Sequence, residues 1–129
     1  MIPYLGNLAI TIVTGFNEQY DPTSAFDAST GIFQPNVAGY YQVSAVAQFG
    51  VTYRTAGVLV VYICKGAGNN VMVSEGMGAS GSFPALCASG LVYLNGTTDY
   101  ITCGLAQNSG STWTDVGVQH FSAVLVRAA

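Results

Sequence analysis

Few residues of this chain could carry acid–base or metal chemistry. His120 is the only histidine, so a metal cluster of several histidines is excluded and any catalytic triad would have to use His120. No nucleophile-elbow pattern is present, and the neighbours of His120 are strand-like. We therefore expect a packing or interface role for this histidine, whose protonation would then affect assembly.

The carboxylates are scattered along the chain. Two carboxyl groups held together can hydrolyse a glycosidic bond, but only Glu18 and Asp21 are close in sequence. We interpret the set as turn and capping residues and predict no enzyme activity, no cofactor and no metal. Its six members are Glu18, Asp21, Asp27, Glu75, Asp99 and Asp115.

Four residues are candidates for ligand binding. The segment 76–81 is glycine-rich like a phosphate-binding loop, but no helix follows, so we predict a loop that presents Met77. Trp113 offers a ring for stacking on a sugar, or it plugs one end of the fold. Arg54 and Arg127 suit an acidic ligand between subunits, or they are solvated charges at strand ends.

Composition restricts the partners. Of 129 residues, 50% are hydrophobic and 7% charged, against about 25% charged in ordinary soluble domains. Three basic residues and a net charge of −3 argue against nucleic acid as a partner. The longest apolar run, Ala56 to Cys64, is shorter than the roughly 20 residues of a spanning helix, so no membrane insertion is predicted. Copies of the chain itself are the expected partner.

The cysteine count indicates a reducing environment. Cys64, Cys87 and Cys103 all lie in apolar, strand-like runs, and an odd count leaves at least one free thiol. We expect reduced structural cysteines, with one disulfide plus a spare thiol as the open alternative.

Frequent turn residues and the absence of helical periodicity predict an all-β domain. Glycine is 16 of the 129 residues, and aromatics are 12%. The predicted strands are Leu8–Thr14, Gly31–Gln34, Gly39–Gly50, Gly57–Lys65, Val71–Glu75, Phe83–Leu94, Tyr100–Gln107 and Gly117–Arg127.

Two kinds of strand pattern are present. Gly39–Gly50 alternates, with Tyr41 and Val43 on the apolar face, which predicts a strand with one wet face. Gly57–Lys65 and Gly117–Arg127 are apolar on both faces. We expect a neighbouring subunit to cover the outer face of these two strands.

A ladder of residues in the first third of the chain resembles a known family signature. Asp21 is five residues before Phe26, Phe26 seven before Phe33, Phe33 six before Gly39, and Tyr41 two after Gly39. This spacing is similar to the complement-one-q globular-head family of the tumour necrosis factor superfamily. Later segments extend the resemblance over nearly the whole chain; these are Ala88–Leu94, Asn95–Gly96, Asp99–Ile101 and Phe121–Val126.

The resemblance implies a ten-stranded antiparallel jelly-roll sandwich that forms a homotrimer. Residues 1–7 would be a lead-in from a stalk or a trimmed end, and residues 8–129 the head domain. The inner sheet is expected to contain the first strand, the last strand and Gly57–Lys65. The residues expected at the trimer interface are Tyr62, His120, Phe121 and Val124.

The composition of the chain is similar to that of the family members that cap bacteriophage fibres and tail needles. It lacks collagen triplets, it is nearly free of lysine, and no basic residue precedes Arg54, so no secretion signal is predicted. The expected function is a receptor-binding knob on a virion, made in the bacterial cytoplasm, with the fibre stalk and a host glycan or receptor as partners. The alternatives are a secreted or surface-displayed head that binds proteins or glycans, and a structural trimerisation cap.

Overall fold

The computed structural model describes residues 11–14, 17–49, 57–66, 69–78, 85–108 and 116–129. These residues form an all-β structure of two antiparallel sheets with no helix, as the composition predicts. The nine strands in the described residues are β1 Thr11–Ile12, β2 Phe26–Asp27, β3 Ile32–Phe33, β4 Gly39–Phe49, β5 Gly57–Lys65, β6 Asn69–Gly78, β7 Ala85–Leu94, β8 Ile101–Gln107 and β9 Val116–Ala128.

The strands divide into a six-stranded and a three-stranded sheet. The larger has the order β2-β3-β8-β5-β6, with β1 also paired to β8, and the smaller has the order β7-β4-β9. From β4 onward the chain crosses from one sheet to the other and back, because β5 and β6 lie between β4 and β7 in sequence. As a result, the strands that pair within the smaller sheet are far apart in sequence.

The core lies between the two sheets and follows the alternation of β4. Tyr41, Val43, Ala45 and Ala47 are buried in one cluster with the inward residues of β5, β7 and β8. Each Val, Leu or Ile fully removed from water there contributes roughly 1.5–3 kcal/mol. The predicted dry face of this strand is therefore confirmed, and on its other face Tyr40, Gln42 and Gln48 are exposed in the single chain.

The prediction that β5 needs a neighbouring subunit is wrong. Val60, Tyr62 and Cys64 point away from the core, yet they are buried within one chain, in a second cluster with Ala106. Ile12 of β1 packs against this cluster. Both faces of β5 are therefore covered without a partner.

The expected composition of the inner sheet is also wrong. β5 belongs to the six-stranded sheet, whereas the last strand, β9, pairs with β4 in the three-stranded sheet. Apolar residues on both faces are common to β5 and β9, but that pattern does not reveal which strands are hydrogen-bonded to each other. Pairing depends on long-range contacts that have no local signature.

Two further corrections concern strand limits. The loop predicted at 76–81 is wrong for Gly76, Met77 and Gly78, which continue β6 and pair with β5; the remaining three residues lie outside the described ranges. The two-residue strand β2 was not predicted, because a pair as short as Phe26–Asp27 shows no periodicity.

Candidate functional site

The three-stranded sheet has one side away from the core, which we call the outer face. Because residues opposite each other on paired strands share a face, the outward residues of β4 fix those of β7 and β9. The outer face comprises Tyr40, Gln42, Ser44, Val46 and Gln48 of β4, Ala85, Cys87, Ser89, Leu91 and Tyr93 of β7, and His120, Ser122, Val124 and Arg127 of β9.

One end of the outer face is apolar and exposed. Leu91 is 59% and Val124 62% exposed, and both lie opposite Gln42. Next to them, the Tyr40 and Tyr93 rings contact edge to face, with centroids 5.4 Å apart. The pairing of β4 with β9 shifts register between Tyr40 and Tyr41, so Val126 of β9 has no opposite residue, and its side chain is also exposed. This end therefore presents apolar area that the chain itself leaves in water.

The centre of the outer face is flat and small. Ser44 lies opposite Ser89 on one side and Ser122 on the other, and the Ser44 and Ser122 hydroxyls are 2.9 Å apart. A row of serines lets another backbone or sheet approach closely, because no long side chain stands above the strands. The centre is thus open to a flat partner.

Charge is sparse on the outer face. Among its described residues there is no carboxylate, and the only basic side chains are Arg127 and His120. The ion pair in the described structure joins Lys65 Nζ and Asp99 Oδ2 at 2.9 Å and lies beside Tyr93, at the margin of this face. A surface without carboxylates has little charge to keep in water when a partner covers it.

The Lys65–Asp99 pair stabilises one end of the sandwich. Lys65 Nζ also donates to the Tyr93 carbonyl at 2.9 Å and lies 5.9 Å from the Tyr93 ring centroid. The hydrogen bond from Lys65, aided by one from the Asn95 backbone, lowers the pKa of the Asp99 carboxyl. Asn95 Oδ1 in turn accepts from the backbone of Thr97, Thr98 and Asp99, which fixes the turn.

The structure separates the four residues expected at a trimer interface. Val124 and His120 are exposed on the outer face, with His120 opposite Val46. Phe121 points to the other side of β9, where its ring lies 5.9 Å from that of Phe26 and packs against the core. Tyr62 is only 8% exposed and belongs to the other sheet.

The ligand candidates are not brought together. Arg127 lies on the outer face beside Tyr40, whereas Met77 pairs with Val58 in the six-stranded sheet. Arg54 and Trp113 lie outside the described residues.

Sequence reasoning missed the apolar end of the outer face. Leu91 and Tyr93 occupy alternate positions of β7, in phase with Ser89, and Tyr40 is in phase with Gln42 of β4. The signal in the sequence was that Leu91, Tyr93 and Tyr40 are large apolar residues at positions where the alternating pattern predicts polar ones. A contiguous group of such residues is typical of a surface that contacts another molecule.

All three cysteines are free thiols. Cys64 and Cys103 are buried, and Cys87 is exposed on the outer face. Burial, with a smaller effect from the nearby Cys64, raises the pKa of Cys103 to about 12, so this thiol is inert. The disulfide alternative is therefore not realised.

In the described residues no three His, Cys, Asp or Glu side chains are grouped as metal ligands would be. That part of the chain also holds no helix with the length and apolar character of a bilayer span. Comparison of the chain with models of known protein families and with curated proteins finds no match in either set.

Proposed function

We propose that three copies of this chain pack through the outer face and form the head of a bacteriophage fibre or tail needle, a jelly-roll knob that contacts the host bacterial surface. One observation carries the proposal: the outer face exposes Leu91, Val124 and the Tyr40–Tyr93 pair beside a flat row of serines, with no described carboxylate. The same face of the other two copies, arranged around a three-fold axis, is chemically suited to cover it.

The strand order adds support for the architecture. A jelly roll has two antiparallel sheets whose strands alternate between layers through Greek-key connections. Here β4, β7 and β9 form one layer, and β5, β6 and β8 belong to the other, together with the short strands β1, β2 and β3. This order, together with the resemblance of Asp21 to Tyr41 to the complement-one-q signature, supports a jelly roll, with any tenth strand outside the described residues.

Subunit contact through the outer face also explains the composition. With only 7% charged residues, the chain has little to keep separate copies apart. A closed three-fold assembly would cover this face on every copy, and a three-fold head fits a three-fold stalk.

The first test is sedimentation equilibrium at several concentrations with reductant. We expect a mass of three chains of 13.4 kDa, and a monomer for Leu91→Glu, because the new charge would be buried without a partner. Val37→Glu is the matched control: Val37 is 43% exposed but precedes β4 and is off the outer face. A monomeric wild type would contradict the trimer.

The second test separates a receptor-binding head from a structural cap. We expect the trimer to bind a bacterial host surface in a cell-sedimentation assay, and Leu91→Glu to lose this binding through lost avidity. A stable trimer that binds none of a broad panel of bacteria would favour the cap. Release of reducing ends from polysaccharides would contradict the prediction that the protein is no enzyme.

A further inference from the structure

A shallow cavity of about 320 Å³ lies beside the β2–β3 hairpin, at the edge of the six-stranded sheet. This is the lower end of the size range of small-molecule sites, about 300–1,000 Å³. Phe26 and Ile32 supply apolar lining, and Ser24, Asp27 and Gln34 supply polar lining. The mixture matches sugars, which present both C–H faces and hydroxyl groups.

Hydrogen bonds hold the cavity wall in place before any ligand arrives. Asp21 Oδ2 accepts from the Phe26 amide at 2.8 Å, and Asp27 Oδ1 accepts from the amide and hydroxyl of Ser29 at 2.9 and 2.6 Å. Gln34 Nε2 donates to the Thr97 carbonyl at 3.1 Å. A wall ordered in this way loses little entropy when it binds.

The same bonds leave polar atoms available. All hydrogen bonds that the Asp27 carboxylate accepts from described residues go to Oδ1, so Oδ2 has unused capacity. Gln34 uses its amide nitrogen, which leaves Oε1 as an acceptor. Both free groups are acceptors, and hydroxyl groups are the donors that suit them.

Backbone strain marks the cavity. Ser24 has a φ of 52°, the left-handed region that residues other than glycine seldom adopt, and it is the one such residue in the described structure. Strain of this kind collects at functional sites. Ser24 is itself a lining residue, so the strained backbone is part of the cavity wall.

Charge decides the class of sugar. The lining contains a carboxylate and no basic residue. Hydrogen bonds from the Ser29 hydroxyl and backbone lower the pKa of Asp27, so it stays ionised at neutral pH. An acidic sugar would be repelled, whereas a neutral one could donate a charge-assisted hydrogen bond.

We infer that the cavity formed by Ser24, Phe26, Asp27, Ile32 and Gln34 binds one unit of a neutral saccharide, with sugar hydroxyls donating to Asp27 Oδ2 and Gln34 Oε1. The site lies within one chain, so it does not depend on the trimer. It also differs from the sequence candidates, which anticipated an acidic ligand at Arg54 or Arg127.

The test is a titration of the wild-type protein with glucose, galactose, mannose and N-acetylglucosamine, followed by amide chemical shifts. At least one sugar should give saturable shifts confined to residues 24–34 in the millimolar range. Asp27→Asn retains an oxygen for the Ser29 bonds but replaces Oδ2 by a donor, and it should weaken binding about tenfold. Glu18→Gln, which removes the same charge at an exposed residue outside the lining, should leave binding unchanged.

A second variant distinguishes recognition from folding. Ser24→Gly removes the hydroxyl but suits the positive φ, so it should weaken sugar binding while the fold becomes no less stable. The proposal is overturned if none of the four sugars shifts these residues, if Asp27→Asn binds as the wild type does, or if calcium alone produces the shifts. A wild-type monomer with an intact sugar response would overturn the trimer and retain the cavity.

Discussion

The two sheets use apolar residues in opposite ways. In the six-stranded sheet, every residue of β5 from Leu59 to Cys64 is buried, including those that point away from the core. In the three-stranded sheet, the outward residues Leu91 and Val124 are 59% and 62% exposed. An apolar pattern on both faces of a strand therefore has two meanings. It marks a strand covered within its own chain or a strand that offers a surface to another molecule.

The largest contrast should appear in thiol reactivity. In the monomeric Leu91→Glu variant, we expect Cys87 to react at once with a thiol reagent. The labelling rates of Cys64 and Cys103 should be lower by a factor of at least about a thousand, because these buried thiols react only when the fold opens. Timed labelling with mass spectrometry measures this. Equal rates at all three sites would mean that β5 and β8 are not covered as described.

The same labelling tests the proposed contact between copies. In the wild type, Cys87 should be protected, since it lies on the outer face opposite Val46. Val37→Glu should retain that protection. Rapid labelling of Cys87 in a stable trimer would place the contact elsewhere.

Side-chain truncations in the two sheets should have different effects on the free energy of unfolding. Ile63→Ala removes a fully buried side chain from the core and should lower the free energy of unfolding by about 2–5 kcal/mol. Leu91→Ala, measured at protein concentrations low enough for the chains to be monomeric, should cost less than about 0.5 kcal/mol. Urea denaturation gives both values. A large loss for Leu91→Ala in the monomer would show that the chain itself covers this side chain.

Gly39 lets two strands of the smaller sheet, β4 and β9, approach each other closely. A Cβ at this position would meet the Arg127 carbonyl and the Leu125 side chain. Gly39→Ala should therefore separate β4 from β9 and cost about 1–3 kcal/mol of unfolding free energy. Urea denaturation again gives the value. An unchanged midpoint would mean that β9 shifts without cost.

The smallest effect concerns pH. The pKa of Asp99 is lowered below its ordinary 3.8, chiefly by the hydrogen bond from Lys65. A depressed pKa adds stability above the unfolded value, and this stability is lost as pH falls through the folded pKa. Asp99→Asn should therefore flatten the loss of stability below about pH 4, whereas Glu18→Gln should not. Thermal unfolding from pH 7 to pH 2 measures the slope, and an identical slope for Asp99→Asn would contradict the pairing.

Local chemistry made much of the fold predictable. The limits of β5 match the predicted Gly57–Lys65, and the alternation of β4 correctly separates its buried and exposed faces. The turn at Asn95–Gly96 also follows from its residues, since Gly96 has a φ of 74° and Asn95 caps the backbone that follows. The site was less predictable. Of the residues predicted at a subunit interface, His120 and Val124 are exposed on one face, whereas Tyr62 is buried. The strand pattern alone does not show this difference, because exposure depends on which other residues pack against the strand.

The sequence by itself determined the all-β class, most strand positions and the low charge that favours self-association, because these follow from periodicity, turn chemistry and composition. Only the tertiary structure decided that β9 joins β4 rather than β5, that β5 is covered on both sides, and that Ser24, Asp27 and Gln34 line one cavity. The physical reason is that sheet pairing and burial are set by contacts between residues far apart in the chain. Such contacts leave no trace in the local pattern of either strand.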